Sequence, residues 1–147
     1  MTTALEILDK AAALLAADTA LAAWVAANFA APLTVKKGFI RVADVREDWF
    51  PAVIVAVGDE ANNGDGQTWT LDLFLTCATG QADTKPDVAE MKILEISRQV
   101  ADLFAAGVGF RMDGLAVSST AARVATDEGS AIPKLFRTVQ LKIIYER

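Results

Sequence analysis

The chain has 147 residues, 53% of them hydrophobic and 22% charged, with a net charge of -5 and no histidine. That length suits one domain, and so apolar a composition excludes a disordered chain. The missing histidine removes the commonest general base, the commonest metal ligand and the usual pH switch. An acidic chain is a poor partner for nucleic acid, where neutralising phosphates supplies most of the affinity, and it is repelled by anionic membranes. Cys77 is the single cysteine. It rules out an internal disulfide and a multi-cysteine metal site, and a reducing compartment is the natural setting.

In chain order, Thr3 followed by Glu6 makes a capping box, and Leu5, Ile7, Leu8, Ala11, Leu14 and Leu15 keep helical spacing. Asp18-Thr19 either caps a second helix ending near Phe29 or lies on the wet side of one long helix. Ala31-Pro32 closes the segment. The Ala-rich stretch 11–31 imitates a membrane span, which needs about 20 apolar residues, but Asp18 interrupts it. An amphipathic helix covering a sheet is the expectation.

From Leu33 the period changes. Phe39-Ile40-Arg41-Val42 reads as a strand and Pro51 to Val57 as a longer one, rich in β-branched residues. Between them Asp44-Val45-Arg46-Glu47-Asp48-Trp49 reads as a charged loop. The segment 58–66 carries both an Asn-Gly and an Asp-Gly hairpin signal. Trp69, Leu71, Leu73, Leu75 and Cys77 alternate with Thr68, Thr70, Asp72 and Thr76, as in a half-buried antiparallel strand.

Pro86 opens a helix expected to run to about Ala106 and stop at Gly107. Its apolar face reads as Val88, Met91, Ile93, Leu94, Ile96, Val100, Leu103 and Phe104, with Lys92, Glu95, Arg98, Gln99 and Asp102 wet. A strand beginning at Leu115-Ala116-Val117 runs to Thr126, and 127–130 turns the chain. In the last segment Leu135, Arg137, Val139, Leu141, Ile143 and Tyr145 face one way, and Phe136, Thr138, Gln140, Lys142, Ile144 and Glu146 the other. The expected fold is α+β: an antiparallel or mixed sheet of four to five strands, with two main helices packed on one face, in a single domain over residues 1–147.

Chemistry is hard to find. Triads that use histidine are excluded. Cys77 falls on the apolar side of a strand and reads as a core residue. Gly107-Val108-Gly109 opens like a dinucleotide fingerprint, but it follows a helix and Met112 takes the third glycine's place. As a calcium loop, 59–70 would set Asp59 first, Asn63 fifth and Gly64 sixth, but Ala61 holds the third position and Thr70 the twelfth. A looser cation site of Asp59, Glu60 and Asp65 stays open beside the plain reading of a solvated hairpin tip. The acids Asp44, Glu47 and Asp48, and Asp127-Glu128, lack a burying environment that would split their pKa values for acid–base work. No enzyme activity, metal or cofactor is expected. Trp49 and Phe50 belong either to the core or to an interface.

The string Asp48-Trp49-Phe50-Pro51-Ala52-Val53-Ile54-Val55-Ala56-Val57-Gly58-Asp59-Glu60 resembles a stretch of the tail terminator proteins (minor tail protein U type) of phages with long, non-contractile tails. The order of elements is similar too: a leading helix, a strand pair joined by a polar loop, a long helix and two closing strands. The resemblance implies a homo-oligomer, a hexameric ring, seated on the last ring of the tail tube. There it would stop polymerisation and offer the face that joins a head-completion or connector protein. It implies a place in the virion tail, assembled in the bacterial host cytoplasm, with DNA passing through the ring without specific binding and no membrane contact. A negative lumen would suit that passage.

By position, three segments are expected to meet other subunits or the tube. They contain Asp44, Arg46, Glu47, Asp48, Trp49 and Phe50; then Asp59, Glu60 and Asp65; then Asp127, Glu128 and Lys134. Arg123 and Arg137, with Arg46, are possible partners for acids on a neighbour. The rival expectations are a head–tail connector of similar design, a small ligand-binding regulatory domain with a pocket between the sheet and the 86–106 helix, and, last, a metal-assisted hydrolase.

Overall fold

A computed structural model describes residues 3–80, 85–104, 116–127 and 134–146, with 116–127 described by its backbone. Helix α1 (Ala4–Ala17) starts at the capping box: Thr3 Oγ1 accepts from the Glu6 amide at 3.2 Å, and the Thr3 amide donates to Glu6 Oε2 at 2.8 Å. Asp18 then breaks the helix and caps α2 (Thr19–Phe29), its Oδ2 accepting from the Leu21 amide at 2.7 Å. The two helices meet at 60°. A short polar side chain that satisfies an orphan N–H favours a fresh start over one continuous helix. Among the described residues no single helix is long and apolar enough to cross a membrane.

The strands are β1 (Thr34–Lys37), β2 (Ala52–Asn62), β3 (Thr68–Gly80), β4 (Ala116–Asp127) and β5 (Lys134–Glu146), in the sheet order β1-β2-β3-β5-β4. β1 runs parallel to β2, and every other neighbouring pair is antiparallel. The fold is α+β with a mixed sheet, as expected. α3 (Pro86–Leu103) links β3 to β4. Residues 105–115, including the expected helix stop at Gly107, and the turn residue Glu128 lie outside the described residues.

All three helices lie on one face of the sheet. There Ile7, Ala11, Leu15, Leu21 and Val25 meet Val53, Val55, Leu71, Leu73, Leu75, Cys77, Val139, Leu141, Ile143 and Tyr145 in one buried cluster. The alternation expected in β3 and β5 is thus the one observed. On α3 the buried stripe is Ala89, Ile93, Ile96, Val100 and Phe104. Val88 and Met91 do not belong to it, being 41% and 65% exposed. At 3.6 residues per turn Val88 sits about 120° around the helix from the centre of that stripe, and Met91 about 180°, on the opposite face. Lys92 fastens α3 to α2, its Nζ donating to the Asn28 carbonyl at 2.7 Å and lying 5.4 Å from the Phe29 ring centre.

The strand expected at 39–42 is not there. The edge strand lies earlier, at 34–37, and Gly38, at a φ of +104°, turns the chain off the sheet. Only glycine enters that region freely. Because β1 and β2 are parallel neighbours, the chain must return from the end of one to the start of the other by a crossover. Residues 38–51 make that return across the face opposite the helices, with short 3₁₀ turns at 42–44 and 47–49. The β-branched and aromatic residues that imitated a strand serve there as a cover.

Candidate functional site: a groove on the helix-free face

The crossing segment 38–51, whose central residues 39–50 form a strap, covers only part of the helix-free face. Val45 is 2% exposed and forms a second, smaller core with Ala52, Ile54, Ala78 and Phe136, against which Ile40, Trp49 and Phe50 pack. Lys36 Nζ lies 4.8 Å from the centre of the Trp49 ring. The charges of the strap pair among themselves, Arg41 with Asp44 at 2.8 Å and Arg46 with Asp48 at 2.8 Å.

Beside the strap the same face opens into a groove of about 440 Å³. Phe39, Ile40 and Val45 form one wall; Ile54, Ala56, Val57 and Gly58 of β2, Phe74 of β3 and Phe136 of β5 form the rest. At its far side Thr76 and Thr138 close the polar end, their hydroxyls hydrogen-bonded to each other at 3.0 Å. Past the Phe74–Gln140 pair the face turns charged, with Lys142 3.5 Å from Asp72. Phe39 stands at the rim, 88% exposed. The absent side chain at Gly58 makes room for the Phe74 ring: a Cβ there would come within 2.4 Å of Phe74 Cε2.

The expected contact residues fall in several places. Asp44, Arg46, Glu47 and Asp48 are exposed on the strap, and Trp49 and Phe50 are half-buried beneath it, so the aromatic pair divides its surface between core and solvent. Asp59 and Glu60 lie on the outer half of β2, beyond the end of β1. Asp65 holds the β2–β3 turn: its Oδ1 accepts from the Gln67 and Thr68 amides, at 2.9 and 2.7 Å, and Oδ2 from the Thr68 hydroxyl at 2.6 Å. The hydroxyl bond above all, helped by the two amides, lowers the Asp65 pKa to about 2. Its lone pairs serve the turn, and no group of three His, Cys, Asp or Glu side chains suited to a metal occurs among the described residues.

Lys134 departs from the surface role expected of it, being only 7% exposed. Its backbone pairs with Gly80 on one side and Asp127 on the other. Arg137 is half-buried on the helix side, paired in register with Cys77, and its Nε has no hydrogen-bond partner among the described residues. The fully buried Cys77 thiol is pushed up to about 12 by burial, against the opposing pull of Arg137. A neutral thiol of that kind is inert. Arg123 and Asp127 are placed by their backbones opposite Thr138 and Lys134. Glu128 lies outside the described residues.

The pocket expected between the sheet and α3 is filled by the main core. The groove lies on the other face, and its residues come from four separated stretches. The signals were Phe74 and Phe136. Each sits on the mostly polar side of an alternating strand, where an aromatic residue needs cover or a partner. No protein-family model matches this chain, and no curated protein matches it.

Proposed function

We propose that this chain is an assembly protein of the phage tail terminator kind, which forms a ring on the tube end and presents a head-joining face. The observation that carries the assembly half is the apolar groove with Phe39 88% exposed on its rim. Aromatic side chains left this open beside an apolar hollow are typical of interface anchors, around which polar residues exclude water. The tail half rests on the resemblance of the string Asp48 to Glu60, which comprises the end of the strap and the first part of β2.

The physical logic is that of a heterologous contact. A tube subunit exposes the same complementary patch at every round, so growth continues until something occupies the patch without renewing it. A terminator therefore needs two different faces, and this fold has them: one closed by three helices, one half-open and apolar. Binding, closure and the offer of a new face require no catalytic group.

Loss of the gene in its parent phage is expected to give tubes of uncontrolled length, seen by negative stain. Normal-length tails left unattached to heads would instead assign the chain to a connector. A second reading, a small-ligand module, is favoured by the groove volume, which lies in the range of ligand pockets. Saturable binding of a small apolar molecule by a chain that stays monomeric would support that reading.

A further inference from the structure

We propose that the strap, residues 39–50, is a hinged cover that opens independently of the rest of the fold and so enlarges the apolar groove. Every hydrogen bond and ion pair that these residues make among the described residues stays inside the segment. The backbone bonds join Asp44 to Arg41, Trp49 to Arg46 and Phe50 to Glu47, and the charged pairs are Arg41–Asp44 and Arg46–Asp48. The bonds to the sheet stand at its two ends, where the Gly38 amide donates to the Val55 carbonyl and the Thr34 amide to the Pro51 carbonyl. Between those ends the attachment is apolar: the buried Val45, the partly buried Ile40, Trp49 and Phe50, and the stacking of Lys36 on Trp49.

Among the described residues, opening therefore breaks no hydrogen bond to the sheet and leaves the internal turns intact. Among the described residues its cost is the small second core and the Lys36–Trp49 stacking, whereas opening the helix layer would expose the whole main core. Local opening of this type follows the fewest buried contacts. Gly38 has the conformational range of a hinge, with φ at +104° and no atom within 4 Å of where a Cβ would stand. Val45, Ile54 and Phe136 belong both to the second core and to the groove wall. The floor under the strap is thus continuous with the groove, and lifting the strap exposes a larger apolar surface. This holds whether or not the chain belongs to a phage tail.

The test uses thiol labelling with native Cys77 as an internal reference. Cys77 is fully buried on the helix side and reports opening of the main core. Ala52→Cys places a second thiol on the floor beneath the strap, at a position with no exposed surface. A nitrobenzoate disulfide reagent is expected to label position 52 at least tenfold faster than Cys77 under native conditions. Val45→Ala in that background should speed labelling at 52 by roughly tenfold, the effect of two buried methyl groups. One common rate for the two thiols, with or without the second substitution, would overturn the proposal. If Ala52→Cys folds poorly, Ala78→Cys reports from the same floor.

Discussion

The two faces of this sheet are built on different terms. On the helix side, three helices close a continuous core in which Leu73, Leu75, Leu141 and Ile143 have no exposed surface. On the other side, one strap covers part of the face with a handful of apolar side chains and leaves Phe39, Val57 and Phe74 around an open hollow. The first face is saturated: every apolar stripe in the helices has a partner in the strands. The second is unsaturated, and the sequence keeps aromatic residues there that the fold itself does not need to bury. Stability is concentrated on one side, and the proposed association falls to the other.

Substitutions sharpen that contrast. The largest effect is expected from Leu73→Ala, which leaves a cavity in the saturated core and should cost about 2–5 kcal/mol in denaturant unfolding. Gly58→Ala pushes a methyl group into the Phe74 ring. It should cost about 1 kcal/mol by overpacking and swing the ring into the groove, visible as shifted aromatic signals by NMR. Phe39→Ser should leave unfolding unchanged within about 0.5 kcal/mol, since its ring makes so little contact within the chain. The same change should abolish assembly in a sedimentation assay. If Phe39→Ser proved as destabilising as Leu73→Ala, the contrast between the faces would be lost.

The smallest effect is one of pH. Asp65 has its folded pKa depressed to about 2 from an ordinary 3.8. Its contribution to the β2–β3 turn is therefore complete above about pH 4 and lost as pH falls through about 2. A titration of the Thr68 amide by NMR should show its shift moving only in that acidic window. Movement near pH 4 instead would mean that the turn bonds are not formed in solution.

What could be read from the sequence follows from how local each cause is. The capping box of α1, the alternation in β3 and β5, and the start of α3 at Pro86 are written in neighbouring residues, and a sequence shows them. Thr34–Lys37 carries little pattern of its own, and its strand character comes from pairing with 52–55. The β-rich run at 39–42 pointed to a strand because aromatic and β-branched residues suit any half-buried surface, including a strap lying on a sheet. Val88 and Met91 show the same limit on a helix: apolar identity places a residue near a face, and the helix rotation decides which face is buried. The candidate site was the least legible part. Charged and irregular segments drew attention as contact surfaces, but the groove is lined by Phe39, Ile54, Phe74 and Phe136, distant in sequence and joined only by the crossover and the sheet order.

The central claim is that the unsaturated face serves association between copies of this chain. It is tested most directly by the mass of the purified protein from light scattering over a wide concentration range, with negative-stain images of the same samples and Phe39→Ser run alongside. A closed ring with a central hole, lost in Phe39→Ser while the variant stays folded, is the result predicted. A chain that remains monomeric at every concentration, or a ring that forms equally well without Phe39, would contradict it.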